Sequence, residues 1–222
     1  MLYGVVFLLL AAQLLALAWV VGGWGWVLAW PAASFAVVAA GYLGLGPRVF
    51  GKRPDGTRHP LATVLLFPYL AFTRSVWWVA CRFDRQPPLH ELVPNVFLGR
   101  RAAFHGLPAN TAAVIDLTCE FTDVAGIRRL PGYVCLPTLD AGIPDPARFR
   151  ECVRLAAEFP GVVFIHCAQG HGRSGLFAAA VLLARGLATD PKDAVRQVRA
   201  VRRGVRVKPH QMRFLEAFAR DP

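Results

Sequence analysis

The sequence predicts an α/β domain with a central, mainly parallel sheet flanked by helices, preceded by an N-terminal transmembrane helical hairpin. Two observations predict this arrangement. The first part of the 222-residue chain is almost uncharged and rich in leucine, alanine and tryptophan, whereas the remainder is mixed in character and rich in arginine. In that remainder, short apolar segments alternate with amphipathic ones, and strands alternating with helices are typical of a parallel sheet.

The hairpin is predicted from two apolar segments that are separated by a turn rich in glycine and tryptophan. Residues 2–21 contain no charged side chain, and about 20 apolar residues suffice for a helix to cross a bilayer. The glycines of residues 22–26 allow a tight turn, and the tryptophans favour the membrane–water interface. A cleaved signal peptide would need a basic start and a cleavage site before a polar segment, and neither is present. We therefore expect residues 1–46 to form two transmembrane helices.

The distribution of basic residues predicts the orientation of this hairpin. The turn has no lysine or arginine, whereas four basic residues follow the second segment: Arg48, Lys52, Arg53 and Arg58. Since basic loops remain on the cytoplasmic side, the turn should lie outside and the rest of the chain in the cytoplasm. We therefore expect a multi-pass membrane protein with its folded domain in the cytoplasm.

A third apolar segment, residues 61–81, allows two interpretations. Pro68 interrupts the segment and Arg74 lies within it. We therefore expect residues 47–88 to form a basic linker and an interfacial or re-entrant amphipathic helix. The alternative is a third transmembrane span, for which the segment is long enough.

Residues 89–222 carry the signals of the folded domain. Three strands are expected, at residues 112–117, 133–138 and 162–167. Four helices are expected, beginning near Pro146, Arg173, Pro191 and Pro209, the second of them running to about Leu187. Asp145 and Asp190 each precede a proline, and an aspartate N-cap followed by proline is a typical helix start.

The chemically informative segment joins the third expected strand to the second expected helix. The strand ends at Cys167, and a loop with two glycines leads to Arg173. Successive backbone N–H groups that turn into a helix N-terminus bind anions, and the glycines let the backbone curl. The planar guanidinium of Arg173 matches two phosphate oxygens. The residues that we expect to bind phosphate are Ala168, Gln169, Gly170, His171, Gly172 and Arg173.

Cys167 lies at the base of this predicted loop, beside the positive end of a helix dipole and near a guanidinium. Both favour the thiolate, which is the nucleophilic form of cysteine. A thiolate that faces a bound phosphorus atom can attack it, and Ser174 can donate a hydrogen bond to the sulfur when it leaves. The alternative is a buried structural cysteine with a chance arginine. The flanking strand and helix, the glycines and Ser174 together argue against chance.

The segment resembles the HCxxGxxR[ST] motif of the cysteine-based protein-tyrosine and dual-specificity phosphatase superfamily. The matching residues are His166, Cys167, Gly170, Arg173 and Ser174. Three further segments are similar, at residues 94–99, 114–120 and 199–215, and the resemblance covers about residues 89–219. It implies a dual-specificity-phosphatase-like fold in which Cys167 attacks phosphorus and Arg173 binds the phosphoryl group, without a metal ion or other cofactor. Ser174 is expected to assist hydrolysis, and His166 to orient the loop.

The resemblance further implies a general acid, an aspartate in a loop upstream of the cysteine. Two aspartates compete for this role. Asp145 already has a structural explanation as a helix N-cap. Asp140 ends a strand and precedes a flexible Ala-Gly pair, so we expect Asp140 to be the acid.

Other charged and thiol groups leave more open. His171 either adds positive charge for a substrate with several phosphates or an acidic headgroup, or is a solvent-facing loop residue. The basic run from Arg196 to Arg213, which includes Arg202, is either a solvated helix face or a surface attracted to anionic lipid. The net charge of +11 indicates an anionic partner, but no RNA-binding or zinc-finger motif supports nucleic acid. The five cysteines lack paired spacing, so neither a disulfide framework nor a zinc site is expected.

These features predict a membrane-bound phosphatase whose partners are membrane lipids and a phosphorylated lipid or phosphoprotein substrate. A phospholipid monoester, such as phosphatidylglycerophosphate or a phosphoinositide, is favoured because a membrane tether raises the effective concentration of lipid phosphates. Phosphotyrosine or phosphoserine/threonine in membrane-associated proteins is the second hypothesis. A catalytically inactive, phosphate-binding membrane adaptor is the third, although the joint presence of Cys167, Arg173, Ser174 and Asp140 argues against it.

Overall fold

The computed structural model describes residues 2–220 of the chain, which fall into two compact units. The first unit comprises residues 2–53, 57–83 and 119–121. The second comprises residues 54–56, 84–118 and 122–220.

The first unit is built from three helices: α1 (Leu2–Val21), α2 (Ala29–Ala40) and α3 (Pro60–Phe83). A 3-10 turn (Gly23–Leu28) precedes α2, and a π turn (Gly41–Leu45) and a second 3-10 turn (Gly46–Phe50) follow it. Three helical stretches are long and apolar enough to cross a membrane: Leu2–Val21, Gly23–Phe50 and Pro60–Phe83. Only 11% to 33% of the residues in their most apolar windows are buried within the protein. The outward-facing apolar surface indicates membrane association.

Helix α3 runs unbroken through Pro68, the proline that interrupts the third apolar segment in the sequence. A proline inside a helix removes the N–H that would bond the carbonyl four residues earlier, here that of Val64. The indole N–H of Trp30 donates to that carbonyl at 3.1 Å and replaces the missing donor. Nearby, the rings of Phe7, Phe35 and Tyr69 pack with centroids 5.5 to 5.9 Å apart. Contacts between α2 and α3 therefore support a helix that its own sequence disfavours.

The second unit contains a five-stranded sheet of order β1-β2-β5-β3-β4. Its strands are β1 (Leu89–Val93), β2 (Val96–Arg100), β3 (Thr111–Thr118), β4 (Gly132–Thr138) and β5 (Val162–Cys167). Only the β1–β2 pair is antiparallel, so the predicted mainly parallel sheet is confirmed. Strands β1 and β2 were not predicted from the sequence. At the sheet edge, β1 has no fully buried residue, so it lacks the apolar run that identifies the central strands.

Five helices complete this unit: α4 (Ala125–Arg128), α5 (Pro146–Glu158), α6 (Arg173–Ala184), α7 (Pro191–Val201) and α8 (Pro209–Arg220). As predicted, Asp145 caps α5 by accepting the Arg148 N–H at 2.9 Å. Asp190 caps α7 in the same way. The second predicted helix ends at Ala184 and not near Leu187, because Gly186 adopts φ 66° and terminates it.

The pleat of β5 separates its side chains between the two faces of the sheet. Val163, Ile165 and Cys167 belong to the core formed with α5, α6, α7 and α8, whereas Phe164 packs with Ile127 on the opposite face. Helix α6 lies inside the first of these layers, and residues 173–182 are all buried. Consecutive residues of β5 therefore serve opposite faces, and Cys167 lies on the face that α6 covers.

Candidate active site

The candidate site lies where the parallel strands end. Cys167 is the last residue of β5, and a five-residue loop connects it to Arg173, the first residue of α6. Gly170 adopts φ 73°, and a Cβ there would clash with the backbone of Gly99 on the neighbouring strand β2. Any side chain at position 170 would thus push the loop off the sheet.

The carbonyl groups of this loop point away from its interior. Those of Gln169 and Gly170 accept hydrogen bonds from Arg202 at 3.0 and 2.9 Å, and that of Ala168 accepts from the Arg101 N–H at 3.2 Å. In a planar trans peptide the N–H points opposite to the C=O. The N–H groups of Gln169, Gly170 and His171 must therefore point inward. The Gly170 N–H accordingly donates to the Cys167 Sγ at 3.2 Å.

The environment of Arg202 differs from the one predicted from the sequence. Arg202 was expected on a solvated or lipid-facing basic surface, but its relative exposure is 0%. Besides the two loop carbonyls, its guanidinium bonds the Pro87 carbonyl at 2.9 Å and the Nδ1 of His90 at 3.0 Å. Arg202 therefore holds the outward-facing carbonyls of the loop in place. Only tertiary structure distinguishes it from its exposed neighbours Arg199 and Arg203, because all three belong to one charge run.

Arg173 is held over the ends of two other strands. Its Nη1 donates to the Thr138 carbonyl of β4 at 2.9 Å and to the Leu117 carbonyl of β3 at 3.4 Å. Its Nη2 lies 3.4 Å from Asp140 Oδ1. These contacts orient a guanidinium that is only 3% exposed, so an anion would meet a preformed planar donor.

Ser174 follows Arg173 in the first turn of α6 and is fully buried. Its Oγ has no hydrogen-bond partner within residues 2–220. A buried hydroxyl without a partner costs about 1–3 kcal/mol. Such a group suits a donor that is needed only at one stage of a reaction.

His166 is supported from the opposite face of the sheet. Its Nε2 lies 3.0 Å from Asp123 Oδ2, and Arg101 Nε donates to the other oxygen of that carboxylate at 3.1 Å. Its ring stacks on Phe164, with centroids 5.5 Å apart. Asp116, aligned with His166 in the β3–β5 pairing, accepts hydrogen bonds from Thr118 and Tyr133.

His166, Asp116 and Asp123 are close enough to one another to ligate a metal ion. Their oxygens are already engaged with Arg101, Thr118 and Tyr133, so the cluster has a sufficient explanation as the support of His166. Neither Asp116 nor Asp123 was among the site residues expected from the sequence. A charged residue inside an apolar strand was the available signal for Asp116, whereas nothing local marks Asp123.

Asp140 and Asp145 have different surroundings. Asp145 is occupied as the N-cap of α5. The Asp140 side chain is 58% exposed, and its carboxylate is beside the Arg173 guanidinium. The structure therefore places the Asp140 carboxylate beside Arg173, whereas Asp145 serves as a helix N-cap.

His171 is neither fully solvent-facing nor a source of charge. Its ring is half-buried against Gly204, where any larger residue would collide with it. Burial and the neighbouring Arg202 hold the pKa of His171 below its ordinary value, and Arg206 acts in the same direction against the opposing effect of Asp84. Its imidazole is therefore neutral near pH 7, and its backbone N–H is the group directed into the loop.

Comparisons with known proteins agree with this geometry. A family model described as "Protein-tyrosine phosphatase" matches residues 138–219. The human "Phosphatidylglycerophosphatase and protein-tyrosine phosphatase 1" is 28% identical over 178 residues, covering 71% of this chain and 86% of that protein. These comparisons support the predicted assignment to the cysteine-based protein-tyrosine and dual-specificity phosphatase superfamily. The chain is therefore a cysteine-dependent phosphatase, which confirms the prediction made from the motif.

A further relative is similar in sequence, and solved structures are similar in fold. The "Putative tyrosine phosphatase 067L" of Invertebrate iridescent virus 3 is 32% identical over 120 residues, 46% of this chain and 50% of that protein. The crystal structure of PTPMT1 in complex with PI(5)P superimposes with a TM-score of 0.53 at 22% identity, covering 61% of this chain and 96% of that one. Tk-PTP in its active form gives 0.53 at 26% identity, covering 61% and 99%. The predicted dual-specificity-phosphatase-like fold is thus confirmed.

The lowered pKa of His171 predicts a measurable acid sensitivity. As the pH falls through about 6.5, the unfolded chain binds a proton at this histidine before the folded protein does. Above that pH the protonation of His171 therefore does not affect the stability of the protein. Below it, the protonation lowers the free energy of unfolding. Because glutamine does not titrate, the drop in Tm between about pH 7.5 and 5.5 should be smaller in His171→Gln than in the wild type. The Tm values are measured by thermal unfolding in detergent. An equal drop in Tm for the wild type and for His171→Gln would contradict a lowered pKa of His171.

Proposed function

We propose that this protein is a membrane-bound phosphomonoester phosphatase that acts through a cysteinyl-phosphate intermediate on a phospholipid phosphate. The observation that supports the proposal is the arrangement of donors in the loop between Cys167 and Arg173. A thiol that accepts the Gly170 N–H lies beneath inward-facing amides, and the Arg173 guanidinium stands at the head of α6. Backbone amides and a guanidinium are the donors that stabilise a transferring phosphoryl group.

The first chemical step transfers the phosphoryl group to sulfur. The Cys167 thiolate attacks phosphorus while the bond from phosphorus to the ester oxygen breaks, and Arg173 and the loop amides hold the remaining oxygens. Asp140 gives its proton to the departing oxygen, so the alcohol leaves neutral. The products of this step are the alcohol, the cysteinyl phosphate and the Asp140 carboxylate.

The second step returns the enzyme to its starting state. A water molecule attacks phosphorus, and Asp140 takes the proton that this water loses. The bond from phosphorus to sulfur breaks, inorganic phosphate forms, and the Ser174 hydroxyl donates a hydrogen bond to the departing thiolate. This role explains why the buried Ser174 Oγ has no partner within residues 2–220.

Three features support a lipid substrate. The same chain carries three helical stretches that are apolar enough to cross a membrane, which would keep the enzyme where lipid phosphates are concentrated. The net charge of +11 favours an anionic surface. The human relative is named a phosphatidylglycerophosphatase, and PTPMT1 was crystallised with PI(5)P. Phosphatidylglycerophosphate and phosphoinositides are accordingly the favoured substrates.

The second candidate is a protein phosphatase that acts on membrane-associated phosphoproteins. The human relative is also named a protein-tyrosine phosphatase, and the viral relative a putative tyrosine phosphatase. Both candidates use the same cysteinyl-phosphate chemistry and differ only in the alcohol that leaves. The joint presence of Cys167, Arg173, Ser174 and Asp140 makes the inactive adaptor the weakest hypothesis.

The proposed topology has residues 1–46 crossing the membrane twice and the catalytic domain in the cytoplasm. The lysine and arginine residues that follow the second stretch support this orientation. In this arrangement α3 lies at the membrane interface, with Trp77 and Trp78 at the level of the headgroups.

The substrate is tested by assaying the full-length protein in mixed micelles against phosphatidylglycerophosphate, phosphoinositides and phosphopeptides. We expect the lipids to be turned over faster than the peptides, and Cys167→Ser to release no phosphate, because a hydroxyl is a far weaker nucleophile than a thiolate at neutral pH. Equal release by wild type and variant would exclude the mechanism. Turnover of phosphopeptides alone would exclude the lipid substrate and leave the mechanism intact.

The general acid is tested by comparing two aspartate variants. Asp140→Ala should lower kcat by about 100-fold or more, since a positioned acid typically contributes 10²–10⁴-fold. Asp145→Ala loses an N-cap, which should cost about 1 kcal/mol of stability and leave kcat within a small factor. The opposite order of kcat effects would reassign the acid to Asp145.

The topology is tested with reporters fused to the C-terminus and inserted in residues 22–26. We expect the C-terminal reporter to be cytoplasmic and the inserted reporter to be external. If the two reporters lie on the same side, α3 crosses the membrane as a third span.

A further inference from the structure

The turn that carries Asp140 has a conformation that its own residues do not favour. Ala141 adopts φ 57°, in the left-handed region, and the Gly142 N–H closes the turn on the Leu139 carbonyl at 2.9 Å. The left-handed conformation costs a residue with a Cβ roughly 1–2 kcal/mol. Contacts from elsewhere must therefore hold this turn in place.

Those contacts come from two consecutive residues at the start of α8. His210 Nε2 lies 2.7 Å from the Ala141 carbonyl, and Gln211 Nε2 donates to the Gly142 carbonyl at 2.8 Å. A carbonyl only accepts, so the His210 Nε2 carries the hydrogen. Two adjacent peptide groups of the turn are thus bonded to two adjacent side chains of the helix.

Gln211 is itself fixed at both ends of its amide. The side chain is fully buried, and its Oε1 accepts the Lys208 N–H at 3.0 Å. The helix start therefore acts as a rigid support for the turn. By contrast, the Asp140 carboxylate is 58% exposed, so burial does not fix its position, which depends on the turn and on Arg173.

We propose that His210 and Gln211 are positioning residues for the general acid, holding the Asp140 turn where its proton can reach the leaving oxygen. The proposal rests on the proposed function, in which Asp140 is that acid. Neither residue needs to touch the substrate, and both act through the backbone of residues 141 and 142. A misplacement of about 1 Å can cost 10²-fold in rate, so loss of either support should reduce proton transfer.

A defect in proton donation has a characteristic dependence on the leaving group. Phenol has a pKa near 10, similar to that of tyrosine, and phenolate leaves poorly unless it is protonated. The nitro group of p-nitrophenyl phosphate stabilises its phenolate, so that substrate depends little on the acid. A variant that merely disturbs the fold lowers kcat/KM for both substrates equally.

The experiment measures kcat/KM of the full-length protein in detergent with phenyl phosphate and with p-nitrophenyl phosphate. For His210→Ala and Gln211→Ala we expect a loss of about 10- to 100-fold with phenyl phosphate and a much smaller loss with p-nitrophenyl phosphate. Because His210 is exposed, its alanine variant tests the idea even if Gln211→Ala unfolds. His210→Gln, which again places an amide donor near the Ala141 carbonyl, should recover part of the loss.

Gln197→Ala is the matched control. Gln197 Nε2 also donates to a backbone carbonyl, that of Leu187 at 3.0 Å, in the segment between α6 and α7. Its loss should leave the ratio of the two kcat/KM values unchanged. A change in that ratio equal to the change in Gln211→Ala would overturn the proposal.

The Asp140→Asn background separates this proposal from the assignment of the acid. Asp140→Asn alone should show the full leaving-group dependence, and adding His210→Ala or Gln211→Ala should then have little further effect. If Asp140→Asn shows no such dependence, the assignment of Asp140 as acid fails. Asp140→Asn can instead show the leaving-group dependence while the α8 variants slow both substrates equally, or while they still act in the Asp140→Asn background. Either result would exclude the positioning role and leave the assignment of Asp140 as acid intact.

Discussion

The orientation of three peptide groups in the loop after Cys167 controls what the site can do. Their carbonyls are bonded outward by Arg202 and by the Arg101 N–H, so their N–H groups face the thiol. The reverse orientation would present partial negative charge to a phosphate and repel it. The fully buried Arg202 is tolerated because three carbonyls and an imidazole nitrogen accept its hydrogen bonds. Fixed dipoles and the end of one helix therefore supply much of the attraction for an anion.

A second consequence of the fold is that neighbouring residues of β5 lie on opposite faces of the sheet. Successive side chains of a strand point to opposite faces, so Cys167 lies with α6 while His166 lies with Asp123 on the other side. Cys167 and the hydrogen-bond network around His166 can thus be adjacent in sequence without competing for space. Arg101 joins the two, because its side chain bonds Asp123 and its backbone bonds the Ala168 carbonyl.

The residues assigned to the reaction differ in how they are supported. Arg173 rests on carbonyls at the ends of β3 and β4, and is almost fully buried. Asp140 is exposed, and its turn is held by the first residues of α8. A phosphate-binding group benefits from rigidity, whereas an acid that must meet substrate and then water benefits from exposure. In the first unit, Trp30 likewise satisfies a carbonyl that Pro68 leaves without its helical partner.

Features that depend on neighbouring residues could be predicted from the sequence alone. The motif from His166 to Ser174, the prolines after Asp145 and Asp190, and the apolar segments are each defined by neighbouring residues, and each prediction about them rests on spacing or composition. Long-range contacts decided the rest. Arg202 lies 32 residues from Gly170 in sequence, and Gln211 lies 69 residues from Gly142, so no local pattern reveals either contact. A buried anchor and a solvated arginine look alike in sequence, because burial is a property of the assembled core.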